Sequence, residues 1–281
     1  MPWPRLVPDR SAFPSDTRKM TTQRRFWEID LLRTNAIVVM VTFHTLYLLG
    51  FFRIQYTDLH SHFWLWFAAG GGTFIFLAGV SLSIAHSRTG HTSGFVLRGL
   101  RIFGLGMIIT AITWAITLDQ PVGSGIVSFF GDAFITQEFV KFGILHFFGI
   151  TFMLGPLFLR FSLINLVLGG ALMVTGFLLQ RISVDFPWLF WLGLRPHGFR
   201  AFDHIPLLPW FGLFLIGIFA GRMLYPQGTR RFWIPDLSIP VISIVTFPGR
   251  HPLIIYLLQW PAIIGILLIV HPENVLSYFP F

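Results

Sequence analysis

The segment WEIDLLRTNAIVVMVTFHTLYLLG places Asp30, Arg33 and His44 within an otherwise apolar run. Ionisable side chains at hydrocarbon depth cost several kcal/mol, so each is a functional candidate by default. Eleven residues make three helical turns plus about 20°, which puts Arg33 and His44 on one helix face roughly 16 Å apart. Val41 and Tyr47 continue that stripe, and Asp30 stands one turn below Arg33. A neutral imidazole tolerates low dielectric better than a carboxylate or an ammonium, and it exchanges a proton near pH 7. The chemistry this spacing suits is general-base catalysis inside a membrane, with Arg33 at the mouth. A structural histidine bonded to a neighbouring helix satisfies the same spacing equally well.

What surrounds these residues is membrane protein. Of 281 residues, 54% are hydrophobic and 11% charged, whereas soluble domains carry about a quarter charged. Seven apolar blocks, 30–52, 62–85, 95–118, 140–159, 163–179, 205–224 and 252–270, each approach the ~20 residues that cross ~30 Å of hydrocarbon. The expected fold is therefore all-α: a polytopic bundle of about seven transmembrane helices. The apolar stretches 126–134 and 186–194 are short and read as re-entrant or interfacial. The stretch 237–247 reads as an extension of the last helix or a surface segment. Residues 1–25 are polar and basic without a signal-peptide core, and are expected to be poorly ordered, with Met20 a second candidate start. Residues 26–281 read as one domain.

Orientation follows from Lys and Arg. With the amino terminus in the cytoplasm, fifteen basic residues fall inside and five (Arg53, Lys141, Arg181, Arg195 and Arg200) outside. The net charge of +8 therefore reflects topology, and no nucleic-acid partner is expected. The absence of Cys excludes disulfides and a thiol nucleophile. No metal is expected either, because the histidines lack an i, i+4 pair with a third ligand nearby.

Six segments occur in an order that resembles the heparan-α-glucosaminide N-acetyltransferase catalytic-domain family and its small prokaryotic members. They are RFWEIDLLRTNAIVVMVTFH (25–44), FIFLAGVSLSIA (74–85), RGLRIFGLGMIIT (98–110), FGILHFFGI (142–150), PLLPWFGLFLIGIFAG (206–221) and GRHPLIIYLLQWP (249–261). The Arg33-to-His44 spacing also looks like the first-helix signature of the related acyltransferase-3 enzymes. The resemblance implies an acyl-CoA-dependent transmembrane acyltransferase. Such an enzyme moves an acyl group, typically acetyl from acetyl-CoA, to a sugar amine or hydroxyl across the membrane. It further implies a prokaryotic cytoplasmic membrane, contact with membrane lipids, and compatibility with a homodimer. Two departures bear on the site. Animal members have Asn where His44 stands and carry their catalytic His shortly after the first helix, a role that falls here to His60 or His62 in YTDLHSHFW. Many small relatives read IYLIHQP where this chain reads IYLLQWP, so Gln259 occupies a His position.

The arginines agree with such a donor. Arg98 and Arg101 lie one turn apart, and Arg33, Arg222 and Arg250 fall at block ends on the same side. Coenzyme A carries a diphosphate and a 3′-phosphate, and multidentate phosphate binding requires several such groups. Anchoring to lipid headgroups is the plainer account of the same residues. The candidate catalytic set is His44, His60, His62 and Arg33, and the candidate donor-binding set is Arg33, Arg98, Arg101, Arg222 and Arg250. On the far side Asp58, His60, His62, Glu138, Lys141, Asp203 and His204 form an acceptor pocket or an ordinary hydrated loop. His146, inside an apolar block, suits a helix-packing hydrogen bond before tunnel lining. The rival function is a small-solute or proton-coupled transporter with His44 and His146 as relay groups, against which the lack of an internal repeat counts.

Overall fold

The computed structural model describes residues 25–55, 63–117, 139–237 and 239–277. All seven apolar blocks are helical: α1 Trp27–Phe51, α2 Phe63–Thr89, α3 Ser93–Thr117, α4 Ile144–Phe158, α5 Leu163–Leu179, α6 Leu207–Leu224 and, after two short helices, α9 Pro252–Val270. The short helices are α7 Pro240–Val245 and α8 Phe247–Arg250, and α10 Pro272–Leu276 follows α9. Among the described residues five helices, α1, α2, α3, α6 and α9, are long and apolar enough to cross a membrane, while α4 and α5 have 15 and 17 residues. Rows such as Leu97, Leu100 and Ile108 of α3, or Ile254, Leu258 and Ile269 of α9, face outward. An outward apolar face is what lipid contact requires, and the chain is a polytopic helical membrane protein.

Glycine decides how the helices meet. A Cβ on Gly99 would lie 2.7 Å from the Gly149 carbonyl, and one on Gly149 2.6 Å from the Phe103 Cβ, so α3 and α4 touch backbone to backbone. Gly79 and Gly217 make the same approach between α2 and α6, and Gly169 and Gly212 between α5 and α6. In lipid no hydrophobic force drives helices together, so small residues that allow close van der Waals packing set these crossings. Of the glycine run in α2, Gly70 packs on Val39 of α1 whereas Gly71 meets open space.

The structure refines three expectations. The fourth block starts its helix at Ile144 rather than near 140, because 139–143 are extended and pair with 202–205. The Phe202 N–H donates to the Phe139 carbonyl at 3.3 Å and the Ile205 N–H to that of Phe142 at 3.0 Å. The stretch 186–194 is turns between two parallel two-residue strands, β1 Ser183–Val184 and β2 Arg195–Pro196. The 237–247 region is separate short helices with Ile239, Val241, Ile244 and Phe247 exposed. The stretch 126–134 and the amino-terminal segment before residue 25 lie outside the described residues.

At the end of the bundle where α1 begins, charge ties the elements together. Arg230 donates to both carboxylate oxygens of Glu28, at 2.7 and 2.8 Å, and the Tyr225 hydroxyl joins them at 3.1 Å. Arg88 at the end of α2 donates twice to the Gly228 carbonyl. The start of α1 and the ends of α2 and α6 thus share one face of the molecule, as alternating spans require.

Candidate active site

α1 and the α8–α9 region bring several of the polar candidates together. Gly249 allows α8 to press against the Asp30 carbonyl, and its N–H donates to Thr34 Oγ1 at 3.0 Å. This contact carries Arg250 to the buried Asp30 carboxylate, 3.5 Å from Nε to Oδ2. Arg33 reaches the other oxygen at 3.3 Å and also donates to the Ser81 hydroxyl of α2. Arg33 therefore points into the bundle. Arg98 and Arg25 lie within electrostatic range of Arg33. Arg33, Arg250 and Arg25 act on the one Asp30 carboxylate and Arg98 lies near Arg33, which leaves a local excess of positive charge at this end of the bundle.

His44 stands deeper on α1 and faces α9. Its ring lies 5.4 Å from that of Trp260, and Trp260 in turn is 6.2 Å from Tyr47. Gln259, 5% exposed, sits near enough to interact with His44. Yet neither amide atom of Gln259 nor the buried Nδ1 of His44 completes a hydrogen bond of good geometry. α1 thus carries Arg33 toward one end and His44 eleven residues on, roughly 16 Å along the helix. Arg250 ends α8 just before α9 begins, and Gln259 lies about two turns into α9. Neither pair projects into lipid.

The family model described as heparan-alpha-glucosaminide N-acetyltransferase, catalytic, matches residues 25–261. The chain belongs to that family. No curated protein and no solved structure matches. Membership makes the chain an integral membrane acetyltransferase, and the matched region spans every residue of the Arg33–His44–Gln259 arrangement.

The remaining candidates of this N-acetyltransferase-family chain are distributed around that centre. Arg98 lies over the Phe152 ring of α4 at 5.6 Å. Arg101, one turn on, is exposed among Leu97, Leu100 and Ile108. Arg222 donates to the Leu159 and Arg160 carbonyls at 3.2 and 3.0 Å, capping the last turn of α4. His60 and His62 lie outside the described residues, as do Asp58 and Glu138.

The other polar cluster is built around backbone ends. The Asp203 carboxylate accepts from the Ile144 N–H at 2.9 Å, which opens α4, and from the Tyr256 hydroxyl of α9 at 3.3 Å. Burial pushes this carboxyl above the usual carboxylate range, against the opposing pull of those two donors. His204 shares a hydrogen bond with the Phe190 carbonyl at 3.0 Å, and burial lowers its pKa to about 4. Lys141 is buried with its ammonium over the Phe139 and Phe199 rings and bonded to the Arg200 carbonyl.

His146 is fully used. Its Nδ1 accepts from the Gly143 N–H at 3.2 Å, so the bonding pattern assigns the ring proton to Nε2, which faces Thr110 Oγ1 at 3.4 Å. Thr110 passes its own hydrogen to the Val140 carbonyl at 2.6 Å. A ring held this way is a packing element, and Gly106 leaves the room it needs. Sequence reasoning missed Asp30 as the hub of the arginines and Gln259 as the neighbour of His44. The only one-dimensional signals were an acid at i−3 from Arg33 and one amide in the apolar run 252–270.

Proposed function

We propose that the chain transfers an acetyl group from cytoplasmic acetyl-CoA, or another acyl-CoA, to an amine or hydroxyl of a sugar-type acceptor reaching the opposite side of a prokaryotic cytoplasmic membrane. The fifteen-to-five distribution of basic residues supports a cytoplasmic mouth at the start of α1. There Arg33, Arg98 and Arg250 receive the phosphates of coenzyme A, their charge only partly met by Asp30. Arg101 and Arg222 stand further off, at a lipid-facing position and at a helix cap. The pantetheine arm extends along the α1–α9 contact and brings the thioester to the depth of His44. The imidazole takes the proton of the attacking amine or hydroxyl and returns it to the departing thiolate. If His60 or His62 supplies that base instead, the donor-binding end of the scheme is unchanged.

One observation carries the reading: α1 and the α8–α9 segment it touches each place an arginine toward one end and a buried polar group deeper in, within a family-matched segment. The test is purified protein in lipid nanodiscs with labelled acetyl-CoA and glucosamine as the probe acceptor. Wild type should form labelled product, and His44→Ala should lose roughly 10²–10⁴-fold in kcat while still binding coenzyme A. No acetyl-CoA binding by wild type would contradict the proposal. Full activity in His44→Ala, with loss in His60→Ala or His62→Ala, would move the base to the loop.

A further inference from the structure

We infer that the side-chain amide of Gln259 holds the acyl carbonyl oxygen during transfer, an assignment that rests on the acetyl-transfer reading above. Among the described residues Gln259 is the only buried side chain both of whose polar atoms lack a hydrogen bond. The other unpartnered atoms belong to groups with bonds elsewhere or with one polar atom at issue. Asn165 donates to the Phe158 and Phe161 carbonyls, His204 bonds the Phe190 carbonyl, and Asp30 and Arg250 form an ion pair. A primary amide brings two donors and an acceptor oxygen, and desolvating it without partners is unfavourable. Leu or Met would fill the same volume in α9 without that cost. Beside the His44 imidazole, the amide therefore keeps hydrogen-bonding capacity that the protein leaves unfilled.

Its position says what the use is. Gln259 faces His44 across the α1–α9 contact, and Nδ1 of His44 is buried and unpartnered in the same place. Trp260 and Tyr47 wall the two polar groups with aromatic rings. A donor and a base set side by side in a low-dielectric surround match the two demands of acyl transfer. The acceptor nitrogen or oxygen, entering as a neutral amine or hydroxyl, attacks the thioester carbon and forms the new bond. The carbonyl π pair moves onto oxygen, where the Gln259 N–H donates to it, and His44 takes the acceptor proton. Collapse re-forms the carbonyl, breaks the C–S bond and passes the imidazolium proton to the thiolate, leaving acetylated acceptor and coenzyme A.

The test is infrared difference spectroscopy of carbonyl-labelled acetyl-CoA bound to the full chain in nanodiscs, beside acetyl transfer to glucosamine. Wild type should show the bound thioester carbonyl at lower frequency than in solution. Gln259→Leu should lose that shift and about 10²–10³-fold in kcat, with coenzyme A affinity within about threefold of wild type. Gln259→His, which keeps a ring N–H, should retain the shift and most of the rate. Should Gln259→Leu not fold, Gln259→Met makes the same comparison, because its thioether offers no donor. A folded Gln259→Leu or Gln259→Met with wild-type frequency and kcat overturns the inference while leaving acetyl transfer standing. A wild-type protein that binds no acetyl-CoA overturns both.

Discussion

At the residue scale the division of labour is set by which polar groups are already satisfied. Arg222, His146 and Asp203 spend their hydrogen bonds on the backbone of α4 and its approach, and so read as structure. Arg33 and Arg250 share a single carboxylate, with Arg98 near Arg33, and so keep charge to spare. Arg250→Ala should therefore raise the KM for acetyl-CoA roughly tenfold, about 1.4 kcal/mol of lost phosphate binding, with little change in kcat. Arg222→Ala should instead lower the melting temperature and leave KM nearly unchanged. His204 makes a pH prediction. Its folded pKa of about 4 lies below the ordinary 6.5, so the fold favours the neutral ring. The stability this lends is complete above about pH 6.5 and disappears as pH falls between the two values. Thermal melts across that window should fall less steeply for His204→Gln than for wild type, and equal slopes would refute the assignment.

At the scale of elements, α8 is the piece that builds the mouth. It is only four residues long and has little helical stability of its own, so its place depends on Gly249 lying against α1. Gly249→Ala would drive a methyl into the Asp30 carbonyl. The expected result is weaker coenzyme A binding together with a lower melting temperature, measured by ligand-dependent thermal shift. Unchanged binding would separate α8 from the donor site. The helices themselves were legible in sequence, because hydrophobic length is a one-dimensional signal that lipid enforces directly. The blocks at 163–179 and 252–270 coincide with α5 and α9. The start of α4 was not legible, since residues 139–143 pair with 202–205 some sixty positions away. For the same reason the Arg33–His44 face followed from spacing within one helix, whereas the Asp30–Arg250 pair and the approach of Gln259 to His44 depend on how α1 meets α8 and α9. The two arginines of α3 show the limit of spacing alone: one turn apart, Arg98 rests on Phe152 while Arg101 is exposed.

At the scale of the molecule, a helical bundle tied at one end by Glu28, Arg230 and Arg88 presents a cationic mouth, and an unsatisfied polar pair lies deeper between α1 and α9. On the proposed function, a thioester entering at the mouth comes to rest between those two helices. The direct measurement is photo-crosslinking with an acyl-CoA whose short acyl chain carries a diazirine, followed by peptide mapping. Labels are expected within residues 44–47 and 256–260, abolished by excess acetyl-CoA. Labels confined to the outward face of α3 or α5, or unaffected by acetyl-CoA, would contradict the proposed function.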